Sequence, residues 1–181
     1  MADAKTWIDV ADDAVKVGLG ALIGGAVSLW ATRMARSNER EKQLLERRLA
    51  LLQDAQLDIS KFVAAVSTFW ANIRNAAFMR DTNEALSAKD KKELHENEQA
   101  VFALFAEMSA PRGTLLLLGE QEAAGALGDF MNACEEFFQI AVLDNPRSTQ
   151  QALDAAKTEM TGKRTVFYRQ MEVAFKRVPQ R

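Results

Sequence analysis

The sequence predicts an all-α protein in which a single N-terminal transmembrane helix continues into the long first helix of an up-down four-helix bundle. The 181 residues include only three prolines and nine glycines, and alanine, leucine, glutamate and lysine are plentiful, as is typical of helices. Beyond about residue 44, apolar residues recur in steps of three and four, which is the spacing of helices with one buried face. Four of the nine glycines fall within residues 18–25, where they disfavour a helix in water but permit close helix packing in lipid.

The first predicted element is a transmembrane anchor at residues 14–32, which follows a short N-terminal flank, residues 1–13. No side chain between residues 17 and 32 is charged. A helix of roughly eighteen residues spans about 27 Å, close to the ~30 Å hydrocarbon core of a bilayer. Because lipid offers the backbone no hydrogen-bond partners, an apolar stretch becomes helical there in spite of its glycines. Trp30 is predicted to lie at the membrane interface, where tryptophan is enriched.

Three other interpretations of this segment compete with a spanning anchor. A cleavable signal peptide is disfavoured because the chain begins with acidic residues, including Asp9, Asp12 and Asp13, rather than with a basic region. An amphipathic helix lying on the membrane is disfavoured because the segment has no charged face. A buried core helix or glycine-rich loop of a soluble protein or assembly stays open, since apolar runs of this length occur there too.

Small residues in the anchor are arranged at helical spacing. Those predicted to pack against another helix are Gly18, Gly20, Ala21, Gly24, Gly25 and Ser28. They recur at intervals of three and four residues, so they cluster on one side of a helix and let a second backbone approach closely. The pattern predicts that the anchor self-associates and that the protein is a homo-oligomer.

A basic juxtamembrane helix, residues 33–48, is predicted to follow the anchor. It contains six basic and three acidic residues, and the positive-inside rule therefore places residues 33–181 in the cytoplasm and the N-terminus outside. We expect Arg33, Arg36 and Arg40 to contact membrane lipid headgroups beside Trp30.

The long first helix of the bundle is predicted to run without interruption to about Arg80. No proline or glycine occurs in residues 26–110, so nothing in that range breaks a helix. Its apolar seam has the spacing of a coiled coil over more than four heptads. The seam consists of Leu45, Leu49, Leu52, Gln56, Ile59, Val63, Val66, Trp70, Ile73 and Ala77, widened by Leu44, Leu51, Ala55, Phe62 and Phe69.

A second bundle helix is predicted to begin near Ser87, because Ser87 and Asp90 have the spacing of a capping box. Pro111 and Gly113 are expected to end or kink it. The four leucines that follow are too few to span a membrane, and they are expected to complete a core helix that stops at Gly119.

Two further helices are expected at residues 120–143 and from Ser148 or Thr149, as the capping residue, to about Val178. The buried face expected of the last helix consists of Leu153, Ala156, Met160, Val166, Phe167, Met171, Ala174 and Phe175. Four helices with short connections predict an up-down bundle.

Residues that carry catalytic or metal chemistry are scarce. The one histidine, His95, lies among charged residues, and the one cysteine, Cys134, lies among apolar ones. A di-iron bundle needs paired Glu-x-x-His motifs, and position 92, three before the histidine, is Lys92. The sequence therefore predicts no catalytic residues, no metal site and no cofactor, and we expect the protein not to be an enzyme. A net charge of −2 also provides no field for binding nucleic acid.

Two functions of different kind remain. In the first, the protein is a membrane-anchored interaction or scaffold protein that self-associates through its anchor and presents a cytoplasmic bundle to a protein partner. In the second, it is a small membrane-perturbing or pore-forming effector whose anchor is regulated by the bundle. The first is favoured, because one short uncharged span lines a pore poorly unless many copies assemble.

Overall fold

The computed structural model describes residues 39–142 and 148–177 of the chain. Within these ranges the chain is helical and has no strand, which confirms the all-α part of the prediction. The described helices are α1 (Glu39–Asp81), α2 (Ala88–Glu107), α3 (Ser109–Leu117), α4 (Gln121–Ile140) and α5 (Gln150–Lys176). Arg47–Arg177 form one compact unit, and residues 39–46, the first two turns of α1, belong to a second.

Helix α1 is 43 residues long and ends one residue beyond the predicted Arg80. Asn83 follows it with a φ of 56°, the left-handed conformation that commonly ends a helix. Most of the predicted seam is buried, but Leu44 and Leu51 are exposed, so the prediction that they widen the core is wrong. Leu51 lies on the same side of α1 as Phe62, but it is close to the end of the bundle, where fewer helices surround α1.

The cap at the start of α2 is the predicted capping box. The Ser87 side chain accepts a hydrogen bond from the backbone N–H of Asp90, whose carboxylate accepts one from the Ser87 backbone N–H. The helix stops at Glu107, before Pro111 rather than at it. Proline has no N–H for the carbonyl four residues earlier and clashes with it, which explains a break at Met108 and places Pro111 in the first turn of α3.

The short helix α3 ends as predicted, with Gly119 at a φ of 78° directly after its last turn. Helix α4 begins at the predicted position but ends at Ile140, three residues early. Of the two candidate caps for α5, Thr149 accepts from the backbone N–H of Ala152. Ser148 is instead buried and donates to the carbonyl of Val142 at 2.7 Å.

Phenylalanines form the centre of the core. Phe62 of α1 lies with its ring centroid 5.8 Å from Phe105 of α2 and 6.0 Å from Phe130 of α4. Phe69, two turns further along α1, contacts Phe137 of α4 at 5.8 Å. Helix α4 is therefore packed against α1 over at least two turns, and α2 closes the same cluster.

Helix α5 contributes a narrower stripe to the core than expected. Leu153, Met160, Phe167, Met171 and Ala174 are buried, but Val166 is exposed, contrary to prediction. Val166 is about 100° around the helix from Phe167, outside the stripe that faces the other helices. Ala156 and Phe175 are partly buried and pack against the core.

Candidate interaction surface

Helices α2 and α3 carry an apolar surface that the bundle does not cover. Phe102, Leu116 and Leu117 are 46%, 52% and 91% exposed, and Ala106 and Ala110 between them are exposed as well. Phe102, Ala106, Ala110 and Leu117 follow one another at intervals of four, four and seven residues, which is the spacing of one helix face, and Leu116 lies beside Leu117. The five residues therefore lie on neighbouring parts of the surface of α2 and α3. We refer to them as the α2–α3 apolar band.

Neither charged residue within this stretch lies on the band. Arg112 is turned toward α4, where its Nη2 atom is 3.1 Å from the position that a Cβ atom on Gly128 would occupy. The guanidinium lies against that glycine because Gly128 has no side chain. Glu107 is about 140° around the helix from Phe102. Arg112 is exposed and lies one turn from Leu116, but its guanidinium is directed to α4 rather than across the band.

The hydropathy of the same region is unusual for the surface of a soluble domain. Among the described residues, Ala88–Leu117 is the one helical stretch long and apolar enough to cross a membrane by length and composition. Core helices of soluble proteins pass the same test, but most of their residues are buried, whereas only 22% of the residues in the most apolar part of this stretch are buried. Leu94, Val101 and Leu115 of these helices are buried in the core, whereas Phe102, Leu116 and Leu117 are exposed.

A buried carboxylate holds the end of α3 and the start of α4 in place. Glu120, which is 3% exposed and precedes α4, pairs with Arg48 of α1 and lies 3.5 Å from Nη1 of Arg177. Nη2 of Arg177 donates to the Glu122 carboxylate at 2.8 Å. Because a buried charge without a partner is costly, this ionic network keeps α1, α4 and the end of α5 together beside Leu116 and Leu117.

Sequence reasoning did not find the α2–α3 apolar band, although a signal for it existed. Residues 100–118 contain too many apolar side chains for a single buried stripe, and we interpreted the surplus leucines as core. Only Leu115 of the four leucines in α3 and its cap is fully buried. The surplus itself was the signal that one face of the helix stays outside.

The residues predicted to act at the membrane lie outside the described residues. This applies to the whole anchor, residues 14–32, with the packing residues Gly18, Gly20, Ala21, Gly24, Gly25 and Ser28, and to Trp30, Arg33 and Arg36. Arg40 lies in α1 by its backbone, but its side chain is not among those described.

The residues considered for chemistry are held apart from one another. His95 is exposed on α2, with Nε2 3.0 Å from Gln99 and Nδ1 3.5 Å from the Glu98 carboxylate. Cys134 is buried in α4, and burial raises the pKa of its thiol to about 12, so it is protonated at neutral pH. In the part of the chain that the structure describes, no three histidine, cysteine or acidic side chains are grouped so that they could hold a metal ion.

Comparison of this chain with known proteins identifies no relative. Neither the protein-family models, nor the curated proteins, nor the solved structures include one that matches this chain.

Proposed function

We propose that this protein is a membrane-anchored helical scaffold that self-associates through residues 14–32 and presents its bundle to a protein partner on the cytoplasmic side. The observation that carries the proposal is the α2–α3 apolar band. Large exposed apolar patches on an otherwise well-packed domain mark interaction surfaces. Leu116 and Leu117 are largely exposed, and Phe102, whose ring packs on Phe138 at a centroid distance of 5.1 Å, is still 46% exposed. These exposed surfaces are available to a partner.

The proposal includes the up-down connectivity of the bundle, which contacts at its two ends support. At one end, the Glu120 carboxylate at the start of α4 pairs with Arg48 near the start of α1 and with Arg177 at the end of α5. At the other end, Arg80 near the end of α1 donates to the carbonyl of Ser148, just before α5, at 2.6 Å. In an up-down bundle α1 and α4 run in the same direction and α5 runs in the opposite one. This arrangement brings together the residues that form these pairs.

The proposal includes that the protein is not an enzyme. Within residues 39–142 and 148–177, the Cys134 thiol is buried and protonated and His95 is exposed on another helix, so the two groups do not meet. A protein that acts by binding needs no such groups.

Membrane fractionation tests the anchor. We expect the full chain to stay in the membrane pellet through a carbonate wash and to be released by detergent. Replacing Leu22 and Ile23 by aspartate places two charges near the bilayer centre, at a cost of about 3 kcal/mol each, and should move the protein to the soluble fraction. Leu57→Asp, on an exposed position of α1, is the matched control and should stay in the pellet. Wild-type protein in the soluble fraction would contradict the anchor.

Site-specific photo-crosslinking in cells tests the α2–α3 apolar band. A photoreactive amino acid at position 117 is expected to give a discrete adduct with another protein. The same group at position 57, a leucine on α1 that is 57% exposed, is expected to give none. If both positions react alike, or if neither reacts, the band is not a specific partner surface.

A second candidate function, a membrane-perturbing effector, is favoured by one observation. The helical stretch Ala88–Leu117 contains an 18-residue part that is apolar enough to span a bilayer, so a bundle that opened could insert it. Dye release from liposomes by the purified full chain distinguishes the two candidates, because a scaffold leaves the bilayer sealed and an effector does not.

A further inference from the structure

A second feature of the bundle, separate from the α2–α3 apolar band, is a small cleft between α1 and α5. Its volume is about 50 Å³, and its floor is apolar, formed by Val63, Val66, Phe130 and Met160. Lys157, Thr161 and Arg164 line its α5 side, and Trp70 lines its α1 side. The cleft lies wholly within the Arg47–Arg177 unit, so its properties do not depend on the anchor.

Trp70 is a rigid wall of this cleft. Its indole N–H donates to the Leu153 carbonyl at 3.0 Å, which fixes the ring against α5. The ammonium of Lys157 lies 3.3 Å from the ring centroid, a close cation–π contact. Burial lowers the pKa of Lys157, and the neighbouring Arg164 and Arg74 lower it further, while Asp154 acts in the opposite direction. The positive charge of Lys157 is therefore only partly compensated.

Arg164 carries a second charge without compensation. The arginines at the ends of the bundle, Arg48 and Arg177, pair with carboxylates, whereas Arg164 makes no hydrogen bond or ion pair with any residue in ranges 39–142 and 148–177. It is half-buried. The carboxylate that acts on Lys157, Asp154, is already engaged by Arg74 through bonds of 2.8 and 3.3 Å.

Lys157 and Arg164 stand on the same side of the cleft. They are seven residues apart on α5, which is about 10 Å along the helix axis, and Thr161 lies between them, one turn from each. Two cations and a hydroxyl group at such spacing suit an anion that accepts several hydrogen bonds at once, and a guanidinium matches the oxygens of phosphate or carboxylate in pairs.

From this arrangement we infer that the cleft binds an oxyanion, the phosphate or carboxylate group of a small ligand, between the ammonium of Lys157 and the guanidinium of Arg164, with the Thr161 hydroxyl as a third donor. The apolar floor beside Trp70 accepts a short apolar part of the same ligand. The bound anion supplies the negative charge that the protein itself does not provide.

Trp70 offers a direct readout, because a bound anion changes the position of Lys157 over its ring. The experiment uses the full chain in detergent with Trp7 and Trp30 replaced by phenylalanine, so that Trp70 is the sole tryptophan. Inorganic phosphate and acetate are titrated at constant ionic strength, with chloride as the reference anion. We expect a saturable change in fluorescence with phosphate or acetate and none with chloride.

Variants decide whether the signal comes from the proposed site. Arg164→Gln should weaken phosphate binding about tenfold or more, and Thr161→Val by a smaller factor. The matched control is Lys163→Gln, which removes a cation from the adjacent position on α5 in a different groove, and its affinity should stay within about twofold. Circular dichroism establishes that each variant is folded; if Arg164→Gln is not, Arg164→Lys, which keeps the charge but not the paired donors, replaces it.

Three outcomes would overturn the inference: no saturable change, an equal change with chloride, or an unaltered affinity when Arg164 or Thr161 is replaced in a folded variant. The source of the oxyanion is distinguished in a second arm, in which phosphatidic acid is added to the same detergent micelles. Competition between this lipid and free phosphate assigns the cleft to a lipid headgroup, and its absence assigns it to a soluble ligand; either supports an oxyanion site.

Discussion

Helix α4 and the α2–α3 pair contain similar side chains and use them in opposite ways. Ten of the 20 residues of α4 are buried, among them three phenylalanines and Cys134. In α2, which has the same length, only Leu94 and Val101 are. The difference lies in position, because α4 is surrounded by neighbouring helices, whereas α2 and α3 cover the outside of the phenylalanine cluster. Apolar content alone therefore does not tell whether a helix forms the core or presents an interaction surface.

The strongest test of this contrast compares one phenylalanine from each helix. Phe137→Ala in α4 removes a fully buried ring that contacts Phe69 and should reduce the free energy of unfolding by about 3–5 kcal/mol. Phe102→Ala in α2 removes a ring that is 46% exposed, and the cost should be about 1 kcal/mol, since much of its area is already in water. Urea denaturation of both variants measures the difference. Equal losses would show that α2 is as much a part of the core as α4.

Glu120 lies between α3 and α4, and its substitution tests the connection between the α2–α3 pair and α4. Glu120→Gln leaves Arg48 and Arg177 without their shared carboxylate. We expect a loss of about 2–3 kcal/mol, below the ~3–5 kcal/mol of a fully buried pair because both arginines are partly exposed. The matched control is Glu122→Gln, which removes an exposed partner of Arg177 and should cost less than about 1 kcal/mol. If the two variants are equally stable by urea denaturation, the ionic network does not hold this connection.

The smallest predicted effect concerns the buried thiol of Cys134 in α4 and depends on pH. The pKa of Cys134 is about 12 in the folded protein, above its ordinary value of 9.0. The folded state therefore keeps a proton that the unfolded state loses, so this stabilisation is complete below about pH 9 and is lost as the pH rises toward 12. Between pH 8 and pH 10 the wild type should lose about 1.4 kcal/mol more than Cys134→Ala.

Urea denaturation of the wild type and of Cys134→Ala at the two pH values measures this difference. An equal loss in both proteins would mean that the thiol is accessible to water, and that α4 is less well enclosed than the contrast with α2 requires. A thiol reagent gives an independent check, because native Cys134 should react only when the bundle unfolds.

Local features were predictable from the sequence because they depend on neighbouring residues. The capping box of Ser87 and Asp90, the Thr149 cap and the helix stop at Gly119 each involve groups within a few positions of one another. The break before Pro111 was expected at the proline itself and occurs at Met108, since proline acts on the carbonyl four residues earlier. The register of a helix is therefore easier to predict than the residue at which it ends.

Tertiary structure decided which apolar and charged residues found partners. Helical spacing made Leu51 and Val166 equivalent to buried neighbours, yet both are exposed, because burial requires a second helix at the same level. It also treated the leucines of α3 as core, although Leu117 is 91% exposed. The burial of Glu120 between arginines 72 and 57 residues away has no local signal at all.

By itself the sequence determined that the described chain is helical, where its caps lie and which side of α1 is apolar, because backbone propensity and side-chain spacing are local properties. The tertiary structure alone decided that α4 is enclosed, that the α2–α3 apolar band is left in solvent and that Lys157 and Arg164 share a cleft with Trp70. These facts depend on which helices become neighbours. That arrangement is set by the packing of all the helices together, and it follows from no single segment.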